Sequence, residues 1–272
     1  MKIITLVEDT KGMEGCGYEH GLSLYIETQN HKLLMDCGTT DMFLKNAEVL
    51  GIDLTQVDSV FLSHGHYDHS GGIIPFTKCN SKAKIYLQKT AGEDYYHLTE
   101  EIEKYAGIDK KILELPQSIL LDGDKKIDEE LFVYSNISGE RCLPKGNREM
   151  TRKVDGVHVR DTFVHEQCLV ITQGKQHVLV SGCAHNGILN IVDRYKEIMG
   201  SYPDVVISGF HMIQKNEYTN QDIDIIKETA RALVETGAIY FSGHCTGIFA
   251  YGIMKEIMGE KLQSIHSGKR LV

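Results

Sequence analysis

Apolar residues along the chain follow two periods, strict alternation and helical spacing, and the switches between them mark two rounds of strand followed by helix. In the first round, residues 2–8 (KIITLVE), 23–28 (SLYIET) and 32–38 (KLLMDCG) read as strands, the last two joined in a hairpin at Gln29-Asn30. Residues 41–50 carry Phe43, Leu44, Ala47 and Leu50 at helical spacing, and Gly51 is placed to end that helix. Residues 57–63 (VDSVFLS) and 84–89 (KIYLQK) are further strands.

The second round is more regular. Residues 168–172 and 177–181 flank Gly174 as another hairpin. Ile188, Ile191, Val192, Tyr195, Ile198 and Met199 then share a helical face that stops at Gly200. A buried-type strand follows at 205–209 (VVISG), then a helix carrying Ile223, Ile226, Ala230, Leu233 and Val234, ended by Gly237. The strand 238–244 (AIYFSGH) and a helix over 247–258 complete the round. Such alternation predicts an α/β fold with helices covering sheets, and the hairpins make those sheets mixed. Between the rounds, residues 90–162 read as an insert with a helix over 93–106 and a loop over 141–159, where Gly146 and Gly156 act as breakers.

Composition narrows the class. A chain of 272 residues, 42% of them hydrophobic, can bury a sizeable core as one domain spanning 1–272. The net charge of −9, with no basic stripe, argues against a nucleic-acid partner. No apolar run reaches the length of a membrane span, so no membrane partner is expected. Glu8 and Asp9 interrupt the first apolar run before a signal peptide could form. The seven cysteines are scattered without a C-x-x-C pair, which fits reduced thiols and a cytoplasmic location.

The chemistry sits where strands end. VFLS leads into His64, HVLVSG into Cys183-Ala184-His185, VVISG into Phe210-His211, and AIYFSG into His244. Ligand sites in α/β sheets form outside the carboxyl ends of strands. Around His64 the chain reads His64-Gly65-His66-Tyr67-Asp68-His69, three imidazoles and a carboxylate within six residues. His64 and His66 can point the same way from extended backbone, while Asp68 and His69 follow the turn and can face a second centre. Imidazole with carboxylate suits zinc, iron or manganese; the lack of clustered thiolates argues against an iron–sulfur cluster.

His64-x-His66-x-Asp68-His69 resembles the signature of the metallo-β-lactamase-fold superfamily, and the resemblance covers nearly the whole chain. It implies a four-layer αββα sandwich of two mixed β-sheets flanked by helices, with one or two divalent metal ions, zinc first, at one edge. Carried over by residue, it implies His64, His66 and His185 on one metal and Asp68, His69 and His244 on the other. The family's bridging aspartate follows a strand that here ends in Gly209-Phe210-His211. That departure leaves two roles open for His211: taking the bridging place, or hydrogen-bonding a substrate. Cys183, beside a ligand, reads as a small buried residue. The stretches HGLSLYIE, NAEVLGIDL, HEQCLVI, SGCAHNGILNIV and SGHCTG resemble one subgroup of metal-dependent hydrolases. That subgroup also includes proteins similar to a pterin-pathway synthase, which makes transferase chemistry the alternative.

The leading expectation is therefore a hydrolase of a small, anionic, phosphorylated molecule, with Asp68 and His211 beside the reacting atoms. A pterin-pathway synthase using the same metals is the alternative, and a non-catalytic ligand binder the third reading. In the insert, Arg141, Lys145, Arg148, Arg152, Lys153 and Arg160 cluster in an otherwise acidic chain. They read either as a solvated loop or as a lid, with Arg148 and Arg152 meeting an anionic group. His165 reads as a support for the ligands, a structural hydrogen-bonding group or a substrate contact.

Overall fold

A computed structural model describes residues 1–214 and 216–272. Five strands open the first sheet: β1 (Lys2–Val7), β2 (Ser23–Glu27), β3 (Lys32–Met35), β4 (Ser59–Phe61) and β5 (Lys84–Gln88). The chain then leaves it for β6 (Tyr95–Leu98) and β7 (Glu103–Tyr105) and returns with β8 (Ser118–Leu121) beside β5. The second sheet begins with β9 (Lys125–Lys126) and β10 (Leu131–Tyr134). After an excursion through β11 (Met150–Val154) and β12 (Val157–Arg160), it continues with β13 (Cys168–Gln173) and β14 (Gln176–Val180). Three parallel strands then complete it: β15 (Val205–Ile207), β16 (Ile239–Ser242) and β17 (Leu262–Ser264).

Alternation decides which layer each strand residue enters. In β2 and β3, Leu24, Ile26, Leu33 and Met35 point between the sheets, where they meet Leu169, Ile171, Val178 and Val180 of β13 and β14. Their neighbours Tyr25 and Leu34 point outward onto α1 (Met42–Val49) and α3 (Ile73–Cys79), through Phe43, Ala47, Ile73 and Phe76. On the far side, Val170, Leu179 and Val206 pack under α5 (Ile188–Met199), α6 (Asn220–Glu235) and α7 (Ile248–Met258). The result is the expected αββα sandwich. Each of these side chains stabilises the fold by about 1.5–3 kcal/mol when fully buried, so all three apolar layers contribute to stability.

The helix stops behave as the residues dictate. Gly200 adopts the left-handed conformation (φ 81°) and its N–H closes α5 onto the Lys196 carbonyl. Thr219 and Asp222 form a reciprocal cap at the start of α6. Among the described residues, no helix is long and apolar enough to cross a membrane.

The insert differs from the sequence expectation. In place of a helix over 93–106, β6 and β7 form part of a third, four-stranded antiparallel sheet with β11 and β12. Tyr95, Tyr96 and His97 pair with Arg152, Thr151 and Met150, more than fifty residues away, a non-local pairing that overrides local helical preference. The expected loop over 141–159 contains the β11–β12 hairpin instead. Its turn is Asp155-Gly156, both at positive φ, between the paired Val154 and Val157.

Candidate metal centre

The strands β3, β4, β5 and β8 run parallel, as do β14 to β17, so their carboxyl ends open on one rim. Asp36 follows β3, His64 follows β4, Cys183 and His185 follow β14, His211 follows β15, and His244 follows β16. His66 is extended (φ −110°, ψ 151°) and caps the four-residue α2 (Tyr67–Ser70), which carries Asp68 and His69 round the turn. The backbone pays for this convergence in strain: Asp36, Phe163, Ala184, His211 and His244 all adopt positive φ, a conformation that costs a non-glycine residue on the order of 1–3 kcal/mol.

Three rings form a near-regular triangle: His64–His66 at 4.6 Å, His64–His185 at 4.8 Å and His66–His185 at 4.8 Å. His69 lies 4.2 Å from His64 and 5.1 Å from His244. All five histidines are buried. Among the described residues, the Nε2 atoms of His64, His66, His185 and His244 have no hydrogen-bond partner, that of His244 lying 3.4 Å from Asp68 Oδ2. Four buried, unpartnered imidazole nitrogens at one rim would each cost desolvation energy, and a divalent cation is the group whose chemistry satisfies them. Five donor sets among the described residues are close enough to hold one, and two of them join histidines of the signature to Cys183. Asp68, His69, Cys183 and His244 present atoms within 4.8 Å of one another, and so do His64, Cys183 and His185. His66 shares the ring triangle, while its ligand atoms come within 4.8 Å of those of Asp161 and His165.

The other ring nitrogen of most of these imidazoles is already fixed. His69 Nδ1 is 2.7 Å from Asp36 Oδ2, and His244 Nδ1 is 2.5 Å from Asp9 Oδ1. His64 Nδ1 meets Ser63 Oγ at 2.8 Å, and that hydroxyl in turn donates to Asp36. His185 Nδ1 is 3.0 Å from Asn147 Oδ1, while the Asn147 amide donates to the His185 carbonyl at 2.6 Å. Glu166 accepts the His185 backbone N–H at 2.7 Å, and Glu8 accepts that of His244 at 2.8 Å. Such partners fix the tautomer and aim Nε2, and removing one typically costs about 10–100-fold in metal affinity. Asn147→Ala should therefore weaken metal binding about tenfold to a hundredfold while leaving the fold intact; competition against a chelating dye measures it, and unchanged affinity would remove Asn147 from the site.

Burial sets the protonation states. It pushes His66 down to about 3, reinforced by neighbouring His165, and pushes His64 and His185 well below the ordinary imidazole range. These rings are neutral and ready to ligate at neutral pH. Burial opposes ionisation of Asp68, yet His69, His244 and His66 hold its carboxyl well below the usual range. His244 is held up against burial by Cys245, Asp68 and Asp9. The unfolded chain binds protons at its histidines near pH 6.5, whereas folded His66 takes one only near 3. Unfolding therefore takes up protons between those values, and stability must fall as pH falls through that window. Chelator-treated protein should show a lower urea midpoint at pH 5 than at pH 7; an equal or higher midpoint would contradict these buried neutral rings.

The remaining expected residues are placed as follows. His165 is fully buried, accepts the Gly65 N–H at Nδ1 (2.9 Å) and meets Asp161 through Nε2 (3.0 Å), so both nitrogens serve the chain and none is left for a substrate. The His211 ring lies 4.1 Å from that of His185, tilted by 51°, with its Nδ1 unpartnered among the described residues. Arg152 pairs with Glu93 at 2.7 Å. Arg148 is exposed on the turn Lys145–Glu149, next to Asn147, and makes no ion pair among the described residues. Lys145 of that turn is tied to Asp222 at 2.9 Å. Beside His244 a cleft of about 650 Å³ opens, lined by Asp9, Lys11, Ile213, Tyr218, Ile248 and Phe249. Tyr218 and Phe249 stack at 4.3 Å, and Phe249 is half exposed.

Asp9, Asp36, Asn147, Glu166 and His20 also belong to the site, beyond the residues expected from the sequence. His20 lies on the rim, 2.9 Å from Asp9 and 3.4 Å from Asp68. Asp36 had a usable signal: it follows the apolar run KLLM as His64 follows VFLS.

The sandwich and its rim of histidines define the class of fold, and the model of the metallo-beta-lactamase superfamily matches residues 17–213. The chain belongs to that superfamily, whose members bind divalent metals and are mostly enzymes. Across 99% of its length it is 30% identical to 7,8-dihydropterin-6-methyl-4-(β-D-ribofuranosyl)-aminobenzene-5′-phosphate synthase of Methanocaldococcus jannaschii, covering 95% of that protein. It is also similar to the crystal structure of Tm1679, described as a metal-dependent hydrolase of the β-lactamase superfamily: 30% identity, TM-score 0.84, covering 100% of this chain and 98% of the other. Zinc-bound PqqB from Methylobacterium extorquens shares the fold, with TM-score 0.58 and 10% identity over the full length of both chains.

Proposed function

We propose that the protein is a metal-dependent hydrolase of a small anionic molecule. His64, His66 and His185 hold one divalent ion, and Asp68, His69 and His244 hold a second. The observation that carries this reading is the set of four buried, unpartnered Nε2 atoms at one rim. Zinc suits the nitrogen-rich donor set best. Bound there, such ions supply Lewis acidity and a hydroxide nucleophile near neutral pH.

The chain's own residues do the rest. Asp36, Asp9 and Asn147 hold the ligand rings in fixed tautomers. Asp68, ionised at neutral pH, is placed to orient the attacking water. His211 Nδ1, buried and unpartnered beside His185, is placed to donate to the oxygen that gains charge. Arg148 is positioned to meet an anionic group from the rim. Arg148→Ala should raise KM for a phosphorylated substrate about tenfold, the value of a charge-assisted hydrogen bond, and leave a neutral ester unaffected. Arg152→Ala, already paired with Glu93, should change neither. Equal effects of Arg148→Ala on both substrates would remove the anion contact.

Synthase chemistry is the second reading, and the stacked pair Tyr218–Phe249 in the cleft beside His244 favours it, because an aromatic slot suits a ring-bearing substrate. The full-length similarity to a synthase whose product carries pterin and benzene rings supports it too. Turnover in isotopically labelled water separates the two. Label in the product marks hydrolysis; a label-free product joining two fragments would replace the hydrolase reading with the synthase one.

A further inference from the structure

We infer that Cys183 is the ligand shared by the two metal positions, a thiolate standing where the superfamily's bridging carboxylate is expected. The inference rests on the two-metal reading above and adds to it the identity of the bridge. Among the described residues, Cys183 alone belongs to both donor sets: its Sγ lies within 4.8 Å of ligand atoms of His64 and His185, and equally of those of Asp68, His69 and His244. It is 3.1 Å from His69 Nε2. It is also buried, so nothing from solvent competes for it.

The alternatives fail on geometry. Beyond β15, where the aspartate is expected, the chain has Gly209 and Phe210: Phe210 is buried in the apolar core, and a Cβ on Gly209 would lie 2.5 Å from Cys245 Sγ and have to displace that thiol. His211, two residues on, comes within ligand distance of Cys183 and Cys245 but belongs to neither of the two histidine-bearing sets. Cys245 Sγ is engaged by the His211 backbone N–H at 3.2 Å and joins neither set itself. Cys183, on the neighbouring parallel strand end, therefore occupies the only central position a shared ligand could take among these residues. On binding, its thiol passes its proton to solvent, and the site then offers two anions, Asp68 and Cys183, to two dications. A soft thiolate at the centre favours zinc, or cobalt in its place, over manganese.

Cobalt(II) titrated into chelator-stripped, full-length protein tests this, reading bound ions per chain together with the near-ultraviolet thiolate-to-cobalt charge-transfer band. Wild type and Cys245→Ser should each bind two ions and show the band. Cys183→Ser should drop to one ion and lose the band. Cys183→Asp should regain the second ion without the band, which separates a lost ligand from a disturbed fold. A band that survives in Cys183→Ser, or disappears in Cys245→Ser, overturns the assignment. Two ions in wild type with no band at all overturns the bridge alone, whereas a wild type that takes up no cobalt overturns the metal-centre reading itself.

Discussion

His64→Ala should lower kcat for any substrate by about a thousandfold. The estimate follows from the several kcal/mol of charge stabilisation that a bound metal supplies, converted at about 1.4 kcal/mol per tenfold. His64 stands between both groups, 4.8 Å from His185 and 4.2 Å from His69 by ring centroid, so its loss disturbs each. The Ser63 hydroxyl keeps its hydrogen bond to Asp36, which lets the variant fold. Turnover per folded molecule, with folding checked by circular dichroism, is the measurement; a loss under about tenfold, equivalent to one neutral hydrogen bond, would mean that His64 is not a metal ligand.

Asp36→Ala should give the largest loss of stability, about 3–5 kcal/mol, the range for removing one member of a buried charged network. Asp36 is fully buried and accepts three hydrogen bonds, from the Ser63 N–H, the Ser63 hydroxyl and His69 Nδ1, each at 2.7 Å. Alanine leaves all three without a partner. Asp36 also adopts φ 59°, which alanine tolerates less well than aspartate. Asp36→Asn keeps the shape and one acceptor and should cost less than half as much. Urea unfolding of the chelator-treated proteins checks this, free of any contribution from bound metal; equal stability of wild type and Asp36→Ala would show that the network carries no structural weight.

The sequence made the sandwich and the rim histidines legible for one physical reason. Apolar runs such as HVLVSG and AIYFSG are long and buried on both faces, so their ends are sharply marked, and polar residues just past them must face the rim. The same rule applied to carboxylates would have found Asp36 after KLLM and Glu8 after KIITLV. Cys183 reads as filler because a lone thiol looks like any small buried residue; its place between two donor sets exists only once the two sheets bring the ends of β4, β14 and β16 to one rim. The insert failed for a different reason. Tyr95 and Tyr96 find their partners on β11, far along the chain, and no local pattern encodes that pairing. The Asp155-Gly156 turn, by contrast, was written in the sequence as a hairpin signal between two valines. Asn147, which aims His185, comes from the same insert, so the region least legible in the sequence reaches the centre of the site.

Elemental analysis of the protein, purified without added metal or chelator, is the decisive measurement. Close to two transition-metal ions per chain are expected, zinc foremost, falling to one or none in His64→Ala and His185→Ala. Protein that is folded and carries no stoichiometric metal, and that takes up none from micromolar zinc, would contradict a metal centre at this rim.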